Sequence, residues 1–269
     1  MLEVINEIER EQLRQVEDFL AFIGIYDDYR RTKALKRLLI SQKKAISGRV
    51  GVEAGAGLGE FTEFLLHLGA QKVYAVEENA LCCRLLREKF KHNRRVEVVE
   101  EHIEHFHPKE KIDFLFQELY GALLLDENLL SLERIKFKPT LVIPNAGSLL
   151  FEEMGFKQLK DPTLTEERIK LLEGVLVSDL FPYFEFRHPK ILAQWIFKRG
   201  KRDYTFYGKV KLKKGILALG MEIFHNNKVV VGTVGCYNWP YIFTPIVSDK
   251  FEISFKYTTQ LTQVFWKWL

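Results

Sequence analysis

Four glutamates, three at predicted strand ends and one at the start of a predicted helix, carry most of the chemistry legible in this chain. Glu53 leads into Gly55, Gly57 and Gly59 in Glu53-Ala54-Gly55-Ala56-Gly57-Leu58-Gly59-Glu60, and Glu77 ends the apolar run 72–77. Glu118 follows the apolar run 112–117, and Glu127 lies further on at the start of the next predicted helix. Glycines at this spacing let the backbone turn tightly and pass close to a ligand. A carboxylate at the end of the second strand can accept hydrogen bonds from both hydroxyls of a ribose. A dinucleotide fingerprint would carry glycine at position 60, where this chain has Glu60. Glu53 and Glu60 bracket the loop, and two carboxylates at a helix N-terminus disfavour a pyrophosphate. They suit a phosphate-free adenosine that carries an ammonium group, and S-adenosyl-L-methionine is such a ligand.

The elements that must position these groups read as strands and helices in alternation. Strands are expected at 49–53, 72–77, 96–100, 112–117 and 141–144, with helices at 61–68, 80–91 and 123–135. That grammar predicts a parallel sheet with right-handed crossovers, whose ligands sit outside the C-terminal ends of the strands. Residues 1–47 read as helical, with Ile5, Ile8, Leu13, Val16, Leu20 and Ile23 along one stripe and a second helix over 28–44. After Gly147 the pattern changes. Thr163-Leu164-Thr165-Glu166 resembles a capping box and opens a helical stripe to Leu180. From 184 onward, alternating strands and a His225-Asn226-Asn227-Lys228 turn predict an all-β unit. The expected organisation is an N-terminal helical segment (1–47), a Rossmann-like α/β domain (48–147) and a smaller β-barrel-like domain (148–269). A helical insertion near 163–180 interrupts the last.

Glu-x-Gly-x-Gly-x-Gly followed by Gly69-Ala70-Gln71-Lys72-Val73-Tyr74-Ala75-Val76-Glu77 resembles the cofactor motifs of class I S-adenosylmethionine-dependent methyltransferases. The second stretch is especially similar to the protein arginine methyltransferases. Glu118-Leu119-Tyr120-Gly121, with Glu127 and the intervening leucines, resembles that family's paired-glutamate hairpin. The resemblance implies a Rossmann-like class I methyltransferase domain, S-adenosylmethionine as cofactor, and methyl transfer to a guanidinium nitrogen of protein arginine. It implies Glu118 and Glu127 as catalytic residues. Two carboxylates can fix the plane of a guanidinium, draw its charge to the far nitrogens and offset its repulsion from a sulfonium. For the cofactor it implies Glu53, Gly55, Gly57, Gly59 and Glu77, with Ile103 and Glu104 at the adenine, the Glu104 carboxylate accepting from the exocyclic amine. Gly232-Thr233 and Tyr237-Asn238-Trp239-Pro240 fall where the family carries a Ser-Thr pair and a Thr-His-Trp loop. Asn238 stands in place of the histidine and cannot titrate. Trp239 reads as core, with a minor part in walling the substrate groove.

The N-terminal segment departs from the family. Its cofactor-covering helix lacks the usual tyrosines, and the arginine that holds the cofactor carboxylate has no clean match, with Lys33, Lys36 or Arg37 as substitutes. The resemblance further implies a homodimer through a helical arm, for which 165–180 is the candidate. Two other readings stay open. One is a methyltransferase of the same fold acting on a small molecule or nucleic acid; the other is a non-catalytic methyltransferase-like binding protein.

Composition narrows the field without choosing. Lys+Arg 40 against Asp+Glu 36 gives a net charge of +4, too mild to argue for nucleic acid. Paired carboxylates would also repel a phosphate backbone. Cys82, Cys83 and Cys236 form no Cys-x-x-Cys pair, so reduced thiols and a cytoplasmic location are expected. Neither a signal peptide nor a membrane span is legible. His102, His105 and His107 cluster in a loop read as solvent-facing, and no metal is expected.

Overall fold

The structure, a computed structural model, describes residues 9–158, 164–178, 180–181, 184–198, 203–258 and 261–269. Two helices lead in, α1 (Arg10–Asp27) and α2 (Tyr29–Ser41), followed by the single turn α3 (Lys43–Ile46). The expected helical residues 1–8 lie outside the described residues. Asp28 separates the two helices and caps α2 by accepting from the Arg31 amide at 3.2 Å. Then come β1 (Val50–Ala54), α4 (Glu60–His67), β2 (Lys72–Glu77), α5 (Ala80–Phe90), β3 (Val96–Glu100), β4 (Phe114–Gln117) and β5 (Leu141–Ile143).

These strands form one parallel sheet in the order β3-β2-β1-β4-β5. β1 and β4 are buried along their whole length, as strands covered on both faces must be. The order reverses between β1 and β4, and a doubly wound sheet opens its crevice at that point. In register, Ala54 pairs with Gln117. The glycine loop that begins at Gly55 and the hairpin that begins at Glu118 therefore leave the sheet side by side.

The remaining chain is β6 (Ala146–Met154), α6 (Glu166–Lys170), β7 (Val177–Ser178), β8 (Lys190–Ile196), β9 (Asp203–Lys209), β10 (Ile216–His225), β11 (Lys228–Gly232), β12 (Ile242–Pro245), β13 (Lys250–Tyr257) and β14 (Thr262–Trp268). They make two antiparallel sheets, β7-β12-β10-β6-β8 with β11 on β10, and β14-β13-β9. Phe151 of the first meets Phe251 of the second edge to face, with ring centroids 5.7 Å apart, inside a barrel-like core.

Three elements differ from the sequence expectation. The helix expected over 123–135 is a 3-10 helix confined to Asn128–Arg134, because Leu124 turns at φ 70 and closes a tight loop with Gly121. The helical stripe of 165–180 forms only α6, since Gly174 turns at φ 78 and Val177–Ser178 joins β12 as a strand. The long strand β6 starts just before the expected domain boundary and supplies the centre of the second unit. All three cysteines are free and buried. No helix among the described residues is long and apolar enough to cross a membrane.

Candidate active site

The glycine loop closes on itself through backbone donors. Gly55, Gly57 and Gly59 all have positive φ, and Gly59 sits left-handed at the N-cap of α4. The Gly57 amide donates to Glu77 Oε2 at 2.8 Å, and the Asn79 amide to Glu77 Oε1 at 2.8 Å. Burial holds the Glu77 carboxyl above the ordinary carboxylate range, against the pull of those two amides. Tyr26, from the end of α1, lies over the loop. Its hydroxyl accepts from the Leu58 amide at 3.2 Å and donates to the Ala56 carbonyl at 3.4 Å. A Cβ on Gly57 would stand 2.8 Å from that hydroxyl, so only glycine fits beneath it. Tyr26 thus returns one of the hydroxyls that the N-terminal sequence lacked.

Glu53 is buried at the end of β1, where its carboxylate accepts from the Thr62 hydroxyl on α4. Burial pushes its carboxyl up to about 8. Beside the loop runs a cleft lined by Gly55, Glu77, Glu78, Glu101, His102, Ile103, Leu119, Asn128 and Ser131. The structure brings Gly55, Glu77 and Ile103 together there. Glu104 is placed otherwise. Its Oε2 accepts from Arg134 and from the Tyr257 hydroxyl, each at 3.3 Å, and so joins the two halves of the molecule.

The hairpin carrying Glu118 and Glu127 is set by buried polar contacts. The Gln117 side chain is fully buried, donating to the Tyr120 hydroxyl at 2.8 Å and accepting from the Leu119 amide at 3.0 Å. Asp126, inside the span 123–135 expected to be helical, is half-buried and accepts from the Leu123 amide at 2.8 Å. Burial pushes its carboxyl up to about 6. A Cβ on Gly121 would lie 2.2 Å from its Oδ1.

Arg31 provides the third part of the site. It is buried, pairs with Glu118 Oε2, and lies with its guanidinium carbon 4.7 Å from the Trp239 ring centroid. Trp239 is itself buried and donates to the Tyr120 carbonyl at 2.8 Å, fixing the floor of the hairpin. Asp28 accepts from the Asn238 amide at 3.3 Å, and the Asn238 side chain donates to the Gly24 carbonyl at 2.8 Å. The loop from 237 to 240 is thereby tied to the junction of α1 and α2.

The two glutamates differ sharply. Glu118 is buried, and desolvation raises its carboxyl against the lowering pull of Arg31. Its Oε1 is buried and makes no hydrogen bond. Glu127 is exposed as a residue, yet protein surrounds its carboxyl. That desolvation, with the charges of Glu118 and Asp126, pushes it up to about 8 although Arg31 pulls the other way. Its side chain makes no hydrogen bond or ion pair among the described residues, while its carbonyl accepts from the Thr262 hydroxyl at 2.7 Å.

Arg31 was missed in the sequence. Of the basic residues favoured instead, Lys33 bonds Tyr29, Lys36 pairs with Glu60, and Arg37 borders a separate cleft beside His225 and Lys228. The available signal was Asp28-x-x-Arg31 at a helix start. Its meaning depends on a contact with Glu118 that no local spacing reveals.

The family described as PRMT5 arginine-N-methyltransferase matches residues 23–145. Protein arginine N-methyltransferase 6 of Danio rerio is 31% identical over 130 residues, covering 44% of this chain and 37% of that protein. A probable histone-arginine methyltransferase of Arabidopsis thaliana is 33% identical over 154 residues, covering 51% of this chain and 29% of that protein. The chain therefore matches about a third of the length of these curated relatives. Among solved structures, the Trypanosoma brucei PRMT1 enzyme-prozyme heterotetrameric complex with AdoHcy superposes with a TM-score of 0.66 at 15% identity, covering 91% of this chain and 96% of that one. The parallel-sheet part is thus similar in sequence to arginine methyltransferases, and nearly the whole chain is similar in fold to one of them.

Proposed function

We propose that the chain transfers a methyl group from S-adenosylmethionine to a guanidinium nitrogen of a protein arginine. The observation that carries this reading is the Glu118–Glu127 hairpin, set beside the glycine loop by the Ala54–Gln117 register; Arg31 takes Glu118 Oε2 and leaves Oε1 without a hydrogen bond among the described residues.

The residues present fit the cofactor. Each oxygen of Glu77 accepts one backbone amide and keeps a further lone pair for a ribose hydroxyl. A Cβ at Gly55 would meet Leu119 at 2.9 Å and one at Gly57 the Tyr26 hydroxyl at 2.8 Å, so the loop backbone can pack this closely only as glycine. Arg31, at the junction of loop and hairpin, is the cation placed to hold the carboxylate end. When bound, the cofactor supplies a methyl group on a positively charged sulfur.

The chain's own groups do the rest. Glu118 Oε1, buried and without a partner, accepts one N–H of the incoming guanidinium, and Glu127 accepts another. Two anions beside one planar cation localise its charge away from the reacting nitrogen and lower the cost of bringing a second cation near. Glu127, held above the ordinary carboxylate range without an ion partner, is the better proton acceptor of the two.

The test is incubation with methyl-labelled cofactor and matched peptides carrying arginine or lysine, alongside RNA, followed by hydrolysis and amino-acid analysis. Label is expected in methylarginine from the arginine peptides alone. Label confined to RNA or small molecules, or present equally in the lysine peptides, would defeat the assignment.

A further inference from the structure

We propose that His102, Glu104 and His105 form a binding site for one divalent transition-metal ion of the zinc type at the edge of the cofactor cleft. One ligand atom from each residue lies within 4.8 Å of the other two. The nearer separations are 3.4 Å from His105 Nε2 to Glu104 Oε1 and 3.9 Å from His102 Nδ1 to the same oxygen. Tetrahedral zinc with ordinary bond lengths sets its ligand atoms about 3.3 Å apart, so small side-chain rotations close the set.

The second observation is His102 itself. Its side chain is only 10% exposed, and neither ring nitrogen makes a hydrogen bond. A buried imidazole left wholly unsatisfied is uncommon and asks for a partner. The expected solvent-facing loop accounts for His105 and His107, which are exposed, but not for His102.

The surroundings of Glu104 fit a ligand carboxylate. Arg134 and Tyr257 hold Oε2, orienting the group and leaving Oε1 toward the two imidazoles. The Arg134 charge partly offsets that of the carboxylate, which favours nitrogen-rich coordination by a borderline cation over calcium or magnesium, whose ligands are oxygens. His105, at the rim, gives an entry path and an open side for water. An ion here would fix the turn that carries His102 and Ile103 into the cofactor cleft, and brace it to β13 through Tyr257.

The experiment titrates the metal-free full chain with cobalt(II), read by visible d–d absorption, and with zinc against a chromophoric chelator. Wild type should take up one equivalent. His105→Gln alters an exposed side chain, so it should fold normally by circular dichroism, and it should bind about tenfold more weakly or worse. His107→Gln should bind as wild type does. Absence of saturable uptake, uptake unchanged in His105→Gln, or equal loss in His107→Gln would overturn the site.

Discussion

The two ends of the cleft are built on opposite plans. At the glycine-loop end the two carboxylates at the strand ends are satisfied from nearby chain: Glu53 by the Thr62 hydroxyl, Glu77 by the Gly57 and Asn79 amides. At the hairpin end the partners come from distant segments and the set is incomplete. Among the described residues, Glu118 takes Arg31 on one oxygen and nothing on the other, and the Glu127 carboxylate takes neither a hydrogen bond nor an ion pair. A self-satisfied end favours rigidity and a fixed ligand shape. An end with surplus negative charge is held ready for a cation that arrives from outside.

Arg31 is the sharpest place to break this contrast. Removing it leaves the buried Glu118 carboxylate uncompensated, which costs about 3–5 kcal/mol. Arg31→Ala should therefore lower the melting temperature by roughly 6 °C or more. Adding Glu118→Gln should recover much of that loss, because the neutral amide needs no counter-ion. Equal melting temperatures for wild type and Arg31→Ala would mean that Glu118 is not held as a buried charge.

Glu127 tests the surplus itself. Glu127→Gln should reduce kcat by about 10²–10³-fold while cofactor affinity stays within about threefold. In the wild type, kcat/KM should rise with pH through a midpoint near about 8 and level off above it, as the free enzyme's carboxylate ionises. The linked effect on stability has a definite sign. The folded protein binds this proton more tightly than the unfolded chain, whose glutamates titrate near ~4.3. The contribution is whole below that range and is lost as pH rises toward about 8. A flat kcat/KM profile from pH 6 to 9 would remove Glu127 as the proton acceptor.

The same contrast explains what could be read before the fold was known. The parallel sheet, the glycine loop and Glu77 were legible because short-range spacing encodes them: a strand, a turn that needs positive φ, a helix. The pairing of Glu118 with Glu127 was legible as a family pattern. The Arg31–Glu118–Trp239 stack was not, since three segments far apart in sequence meet only after the β unit packs on α2. Asp126 read as a helix residue because the helical pattern of 123–135 is real, yet Leu124 breaks it at positive φ and turns Asp126 inward. Glu104 was matched by its place in a motif, while its bonds to Arg134 and Tyr257 depend on β13 arriving from the other end of the chain.

Gly57→Ala gives the smaller and complementary effect at the loop end. At φ 51 a non-glycine residue is strained by about 1–2 kcal/mol. The new methyl would also press on the Tyr26 hydroxyl, which then either withdraws from the Leu58 amide or displaces the loop. Because Gly57 also donates to Glu77, movement of the loop loosens the carboxylate that faces the ribose. The defect should therefore fall on cofactor binding, weakening it about tenfold for each 1.4 kcal/mol of strain carried into the complex. At saturating cofactor, kcat should stay near wild type, since neither Glu118 nor Glu127 is touched. Isothermal titration with the cofactor, set beside kcat at saturation, separates the two ends. A Gly57→Ala enzyme with unchanged cofactor affinity and a collapsed kcat would show that loop and hairpin act as one unit.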